Sequence, residues 1–406
     1  MLDKRPDTHC VARVHVCFLC LVLLVCIITA AITHLSLDPL KKKINSQLSK
    51  TFYNQLGKYD PKASNGPDVV VRSVYVDLRH RYGHRNATVF LIEVRKHFLY
   101  TSLITGCTVG DHFTSVFKIH PIYINGKTGK LIDEKPSLTH AMALVDCFDL
   151  PASNGSKAAL LYRTNINGFV IPAESERPVY IPYHHSDNSP YTIAACLAVV
   201  YGRPTFLKDW LQYQKAIGIT HVHIIADASF NGFELPYIKS DLSSGFLTID
   251  IWKVWLKTNT EIHYHSQMLA YHDCIYRYQG TYDYIMMVDQ DDFFVPLNPN
   301  RTSLHWYIDN WCQEGACVFD WVEYYPDCGL TKDNGGIPPG NLTSRLVSQS
   351  HKWLPFKKSL YRVLDTIEVG IHDPREMMPR TGGKTVPDNQ AYVAHLRAFR
   401  RPPNGC

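Results

Sequence analysis

The stretch TYDYIMMVDQDDFFVP, residues 281–296, sets three carboxylates, Asp289, Asp291 and Asp292, within four positions directly after an apolar run. Like charges this close repel, and a carboxylate beside a buried strand is costly if unpaired. Asp289 and Asp291, at alternate positions, can turn toward a common centre where a strand ends. A hard divalent cation, Mn2+ or Mg2+, removes their repulsion, prefers oxygen ligands and keeps positions open for substrate phosphates. Asp292 reads equally well as part of that group or as a capping residue in a solvated turn. An EF-hand loop is excluded, because its fifth and sixth positions counted from Asp289 are Phe293 and Phe294, where an oxygen ligand and a glycine are needed. An aspartate phosphatase also places two alternate Asp residues after an apolar strand, one as nucleophile. The Asp292-Phe293-Phe294 that follows here matches that pattern poorly.

The elements around this stretch suit a site of this kind. YTIAACLAVV, from Tyr191, is a continuous apolar run, as expected of a strand buried on both faces. Phe206, Leu207, Trp210, Leu211 and Ile217 then recur at helical spacing. HVHIIAD and FLTIDIW read as strands, HYHSQMLAYHDCIYRY as a helix and YDYIMMVD as the next strand. Strands alternating with helices imply an α/β unit with a mostly parallel sheet. The carboxylates then sit at the carboxyl end of a buried strand, where open α/β sheets bind ligands. His263 and His265 resemble a metal pair, but positions two apart diverge on a helix, so both read as capping or surface residues. Upstream, residues 66–185 hold short apolar and β-branched runs such as VVVRSVYVDL and ATVFLIEV, with turn signals such as Asn125-Gly126. They read as a β-rich accessory region.

The chain has 406 residues, 45% hydrophobic and 12% aromatic, with a net charge of +5. That charge is too small and too dispersed for a nucleic-acid binder. Residues 14–33, VHVCFLCLVLLVCIITAAIT, contain no Asp, Glu, Lys or Arg. About twenty apolar residues span a bilayer core, and the run exceeds the apolar stretch of most cleaved signal peptides. It reads as an uncleaved signal-anchor between a tail, residues 1–13, and a polar stem, residues 34–65. Lys4, Arg5 and Arg13 before the span nearly balance Lys41, Lys42 and Lys43 after it, so flanking charge does not orient it. Sequons at Asn86, Asn154, Asn300 and Asn341 all follow the span, as do eight of the twelve cysteines. An even number of cysteines in an oxidising compartment fits disulfides. Together these place residues 186–406, the expected catalytic domain, in a lumen. Cys312, Cys317 and Cys328 lack the close pairing of a zinc site.

From about Tyr191 to Arg397 the chain resembles glycosyltransferase family 92. The resemblance rests on YTIAACLAVVYGRPTFLKDWLQYQKAIGITHVHII, the Gln267–Tyr278 segment with Asp273-Cys274, YDYIMMVDQDDFFVP, His372 and AYVAHLRAF, in that order. It implies a GT-A-like nucleotide-sugar-binding fold and a type II Golgi membrane protein. It also implies transfer of galactose from UDP-galactose, with inversion, to a glycan acceptor on glycoproteins, as in β-1,4-galactosyltransferases. Two departures stand out: His395-Leu396-Arg397 where the family often has His-Tyr-Arg, and Asp292 where it often has Glu.

A UDP leaving group needs its charge neutralised, so a metal on Asp291 would bridge its phosphates. Asp289 can hold the same metal, directly or through water, or the ribose. His372, after a strand expected over 367–371, and His395 are the further ligand candidates. Gln267 and Arg397 are candidates for holding the nucleotide, Arg397 through bidentate bonds to phosphate. Inversion takes one displacement, so one general base must accept the acceptor hydroxyl's proton. Asp320 and Glu323 in FDWVEYYPDCG are placed for this, Glu323 preferred, with Trp321 as an apolar sugar platform. Two other functions stay open on the residues alone: a non-catalytic sugar-binding membrane protein, and the aspartate phosphatase.

Overall fold

The computed structural model describes residues 69–77, 79, 87–95, 104–122, 140–163, 170–181, 191–200, 207–252, 266–313, 315–324, 351–370, 374–377 and 381–396. All of them lie in one compact unit, Pro61–Cys406. The expected tail, anchor and stem lie outside the described residues, as do His263, His265, Cys328, His372, Arg397 and Cys406. Among the described residues no helix is long and apolar enough to cross a membrane. Of the sequons, Asn154 and Asn300 are described, and both are exposed.

The β-branched runs of the first part pair into two four-stranded antiparallel sheets. Val69–Asp77 (β1), Ala87–Arg95 (β2), Ile104–Val109 (β3), His112–Thr114 (β4), Phe117–Pro121 (β5), His140–Cys147 (β6), Ala158–Arg163 (β7) and Val170–Glu174 (β8) form the orders β1-β2-β6-β5 and β4-β3-β7-β8. Phe90, Ile92 and Val145 of one sheet share a core with Ile104, Cys107 and Leu160 of the other. The Cys107–Cys147 disulfide joins β3 to β6.

The second part contains Ile193–Val200 (β9), Leu207–Ala216 (α1), His221–Asp227 (β10), Pro236–Ser243 (α2), Leu247–Trp252 (β11), Gln267–Arg277 (α3), Tyr284–Val288 (β12), Asp292–Pro296 (β13), Leu304–Trp311 (α4), Ala316–Tyr324 (β14), His351–Arg362 (β15), Thr366–Val369 (β16), Pro374–Met377 (β17), Gly383–Thr385 (β18) and Ala391–Leu396 (β19). Nine of these strands build one sheet in the order β11-β10-β9-β12-β15-β14-β19-β13, with β18 on β14. Its first four strands run parallel, as the alternating pattern predicts. Beyond them the sheet stays mostly parallel, as expected, with β14 parallel to both β18 and β19, but two strands are reversed. β15 pairs antiparallel with both β12 and β14, and β13 antiparallel with β19, so the sheet is mixed. The apolar run that signals a strand carries no direction.

Both faces of β9 are covered, which explains its unbroken apolar run. Ile193, Ala195 and Leu197 pack with Trp210 of α1 and Ile308 of α4. Ala194, Cys196 and Ala198 pack with Leu269 and Ile275 of α3. On α1 the buried residues Leu207, Trp210, Leu211 and Gln214 form a single stripe. Every residue of α3 from Met268 to Tyr276 is buried, because its other side meets Val89, Leu91 and Leu144 of the first small sheet. The Cys196–Cys274 disulfide ties β9 to α3, and Cys312–Cys317 closes the link from α4 to β14.

Candidate active site

β12 ends at Val288, and the chain turns tightly into β13, with the Asp292 amide donating to the Asp289 carbonyl at 3.0 Å. The Trp210 indole N–H holds the Asp292 carbonyl at 3.0 Å. The turn therefore rests on α1 and presents three carboxylates at the sheet's carboxyl edge. β19 supplies the facing residue, since Asp292 is opposite His395 in the β13–β19 ladder and Glu323 is opposite His395 in the β14–β19 ladder. The Leu396 amide bonds the Asp291 carbonyl at 2.9 Å, which fixes the end of β19 against the turn.

Ligand atoms of Asp289, Asp291, Asp292 and His395 all lie within 4.8 Å of one another. Asp292 is fully buried, and its carboxylate is the hub. Oδ1 accepts from His395 Nδ1 and from Trp321 Nε1, each at 2.9 Å. Oδ2 accepts from the Asp289 amide at 2.8 Å and pairs with Lys358 Nζ at 2.8 Å. Lys358 Nζ also donates to Asp289 Oδ2 at 2.8 Å, and its side chain is 0% exposed. Gln267, at the head of α3, donates to Asp289 Oδ1 at 2.7 Å and to the Ala198 carbonyl at 2.8 Å. Asp291 is contacted by His395 Nδ1 at 3.4 Å.

The electrostatics follow from these contacts. Burial would raise the Asp292 carboxyl, but the Lys358 ammonium and His395 override it and hold it well below the usual carboxylate range. Burial likewise opposes the charge on Lys358, yet Asp289 and Asp292 keep its proton on more firmly than in water. For His395 burial is again overcome, by its bond to Asp292 and by the surrounding carboxylates, so its proton is held above the ordinary imidazole value. Asp291 differs. Burial pushes it up to about 7, since His395 and Lys358 offset the desolvation only in part, and Asp292 and Asp289 add repulsion. It is the under-compensated carboxylate of the group, which suits it to a divalent cation.

Of the candidates read from the sequence, Asp289, Asp291, Gln267 and His395 come together. Glu323 is buried beside His395 by strand register. Asp320 is bonded to Lys357, its partner across β15. Trp321 is not the open sugar platform expected. It is buried, at 6% exposure, because its ring packs 4.5 Å from His395 and its N–H is used on Asp292.

Lys358 was not foreseen. It stands in KWLPFKKSLYR, more than sixty residues beyond the carboxylates, beside a second lysine. Strand alternation requires one of the two to face inward, but the sequence does not say which, or toward what. The crowding of the three aspartates is thus eased partly by the chain itself, through Lys358 and His395. A second close group, His223, Asp250 and Asp273, has its own cations: Arg277 pairs with both carboxylates at 2.9 Å, and Arg177 with Asp250 at 2.6 Å.

No curated protein matches the chain. The family model described as Glycosyltransferase family 92 matches residues 191–402, from the start of β9 to beyond β19, with the carboxylate turn, Gln267, Lys358, Glu323 and His395 all inside. With that match over more than half of its length, the chain belongs to glycosyltransferase family 92.

Proposed function

We propose that this glycosyltransferase is metal-dependent and inverting, and transfers galactose from UDP-galactose to a glycan acceptor on glycoproteins in a β-1,4 linkage. We further propose a type II Golgi membrane protein anchored by residues 14–33, with its catalytic body in the lumen. The observation that carries the reading is Asp291, a desolvated carboxylate lacking full compensation, set among Asp289, Asp292 and His395 at the carboxyl end of β12. The donor set, carboxylate oxygens and one imidazole, fits Mn2+ or Mg2+. Asp291, the exposed side of Asp289 and His395 would hold the ion, with His372 a further candidate. When bound, such an ion neutralises the charge of a leaving diphosphate.

The chain's own residues supply the rest. Gln267 and Lys358 orient Asp289. Glu323, buried and opposite His395 in the β14–β19 ladder, is the preferred base for the acceptor hydroxyl. Proton transfer to Glu323 accompanies attack on the anomeric carbon in a single displacement, and UDP departs from the other face. Arg397, which follows Leu396 in sequence, is proposed to bind the nucleotide phosphates. Membership of the family weighs against the phosphatase and the non-catalytic binder.

The test is turnover. The purified full-length chain is given Mn2+, a panel of UDP-sugars, and galactose-terminated and fucosylated acceptors. UDP release and acceptor mass are measured, with chelator and Asp291→Asn as controls. Transfer from UDP-galactose that is lost with chelator and in the variant supports the reading. Transfer undiminished by chelator, or from a different donor alone, refutes the metal or the galactosyl assignment respectively.

A further inference from the structure

The three carboxylates of the turn are not equivalent. An ionised carboxylate has about four acceptor positions, and all of those on Asp292 are filled: His395 Nδ1 and Trp321 Nε1 on Oδ1, the Asp289 amide and Lys358 on Oδ2. The Asp292 side chain is 0% exposed, whereas those of Asp289 and Asp291 are 28% and 17% exposed. A cation could reach Asp292 only by displacing one of its donors. A histidine that binds metal through one ring nitrogen commonly donates its other ring N–H to a carboxylate, which fixes the tautomer. His395 has that partner: Nδ1 bonds Asp292, which leaves Nε2 as the nitrogen that can bind a metal once its proton is displaced.

We propose that Asp292 and Lys358 form a buried ion pair that positions the site and takes no part in metal ligation. Asp292 holds His395 with a proton on Nδ1. Lys358 holds Asp289. The cation is left to Asp291, the outer side of Asp289 and His395 Nε2. This role rests on the metal-dependent reading above. It divides the Asp289–Asp292 turn into two metal-facing carboxylates and one internal strut, and it gives Lys358 a function although it touches no substrate.

The experiment compares the full-length wild-type chain with Asp292→Asn, Lys358→Met and the double variant. Mn2+ affinity is read by EPR titration and Tm is read in chelator. Asp292→Asn turns an amide N–H toward the Lys358 ammonium and the Asp289 N–H, and strips Lys358 of a partner. Lys358→Met leaves two carboxylates without their cation. Each single change lowers Tm, and Asp292→Asn weakens Mn2+ binding by about 10–100-fold through misplacement of His395. In the double variant both buried charges are gone, a replacement that is far milder than breaking the pair. The new amide oxygen can still accept from His395 and Trp321. The double variant should therefore have a higher Tm than Asp292→Asn and bind Mn2+ within about tenfold of wild type.

If Asp292 were a metal ligand, adding Lys358→Met could not restore binding. A double variant that stays as weak as Asp292→Asn, fails to fold, or shows additive Tm losses overturns the proposal. Should the single variants not fold, a folded double variant that binds Mn2+ supports it. A wild-type chain that does not bind Mn2+ is a separate outcome, since it refutes the metal-dependent reading first and this role with it.

Discussion

Proton competition at Asp291 tests the candidate site without a substrate. Burial pushes this carboxyl up to about 7, so a cation can occupy it only as the proton leaves. For one displaced proton the apparent Kd for Mn2+ scales as 1 + 10^(pKa − pH). That factor is about 1.1 at pH 8, about 2 at pH 7 and about 11 at pH 6. Affinity should therefore fall about tenfold from pH 8 to pH 6, close to 1.4 kcal/mol. A carboxyl near its ordinary value of about 4 would leave affinity flat across that window. The sign for stability is opposite to that of a salt-bridged carboxylate. Between about 4 and about 7 the folded apo-protein keeps a proton that the unfolded chain has lost, so Asp291 costs stability as pH rises through that window. His395, whose proton is also held by the carboxylates, costs stability in the same direction, but only as pH rises above about 6.5. The decisive quantity is the part of the slope that Asp291→Asn removes. EPR titration of free Mn2+ at pH 6, 7 and 8, on wild type and variant, measures it. A wild-type affinity independent of pH, or a slope unchanged in Asp291→Asn, would refute the reasoning.

Four further variants have expected outcomes. Glu323→Gln should lower kcat by about 10²–10⁴-fold if Glu323 is the base. Asp320→Asn, which breaks a partly exposed ion pair with Lys357, should cost no more than about 1 kcal/mol of stability and change kcat far less. The reverse ranking in a UDP-release assay would exchange the two roles. His223 is held neutral to about pH 3, chiefly by burial and secondarily by the Arg277 charge. The unfolded chain takes up that proton below about 6.5, so stability is lost as pH falls, by about 1.4 kcal/mol per unit down to about 3. His223→Gln should flatten this part of the Tm profile between pH 6.5 and 5, and an unaltered profile would show that other groups govern acid lability. Replacing Cys196 and Cys274 together by Ala removes a crosslink spanning 78 residues. Chain entropy puts the loss at up to about 4.5 kcal/mol, and urea unfolding under non-reducing conditions would show whether the bond contributes at all.

The order of strands and helices from β9 to β12 was legible because each element signals itself locally. Trp210 and Leu211 sit at helical spacing, and YIMMV is apolar throughout. The β-rich start was legible for the same reason. The return of β15 between β12 and β14 was not, since strand direction and sheet order arise from pairings between residues far apart in sequence. Which cysteines pair was hidden for a similar reason. Cys312 and Cys317, close enough to suggest a metal motif with Cys328, form a disulfide with each other.

At the site the same division holds. Asp289 and Asp291 declare themselves because charged residues directly after an apolar strand contradict the hydrophobic pattern, and only a function or a partner resolves the contradiction. Residue types and their order along the chain therefore decide the class of chemistry and the edge of the sheet where it is placed. They do not decide what each carboxylate does. That Asp292 is a buried strut, that Lys358 and not Lys357 turns inward, that Trp321 is used as a hydrogen-bond donor, and that Asp291 keeps an uncompensated charge all depend on β13, β19, β14 and β15 lying side by side. Burial and charge pairing act over a few ångströms, and only the folded sheet brings residues 289–292, 321, 358 and 395 within that range.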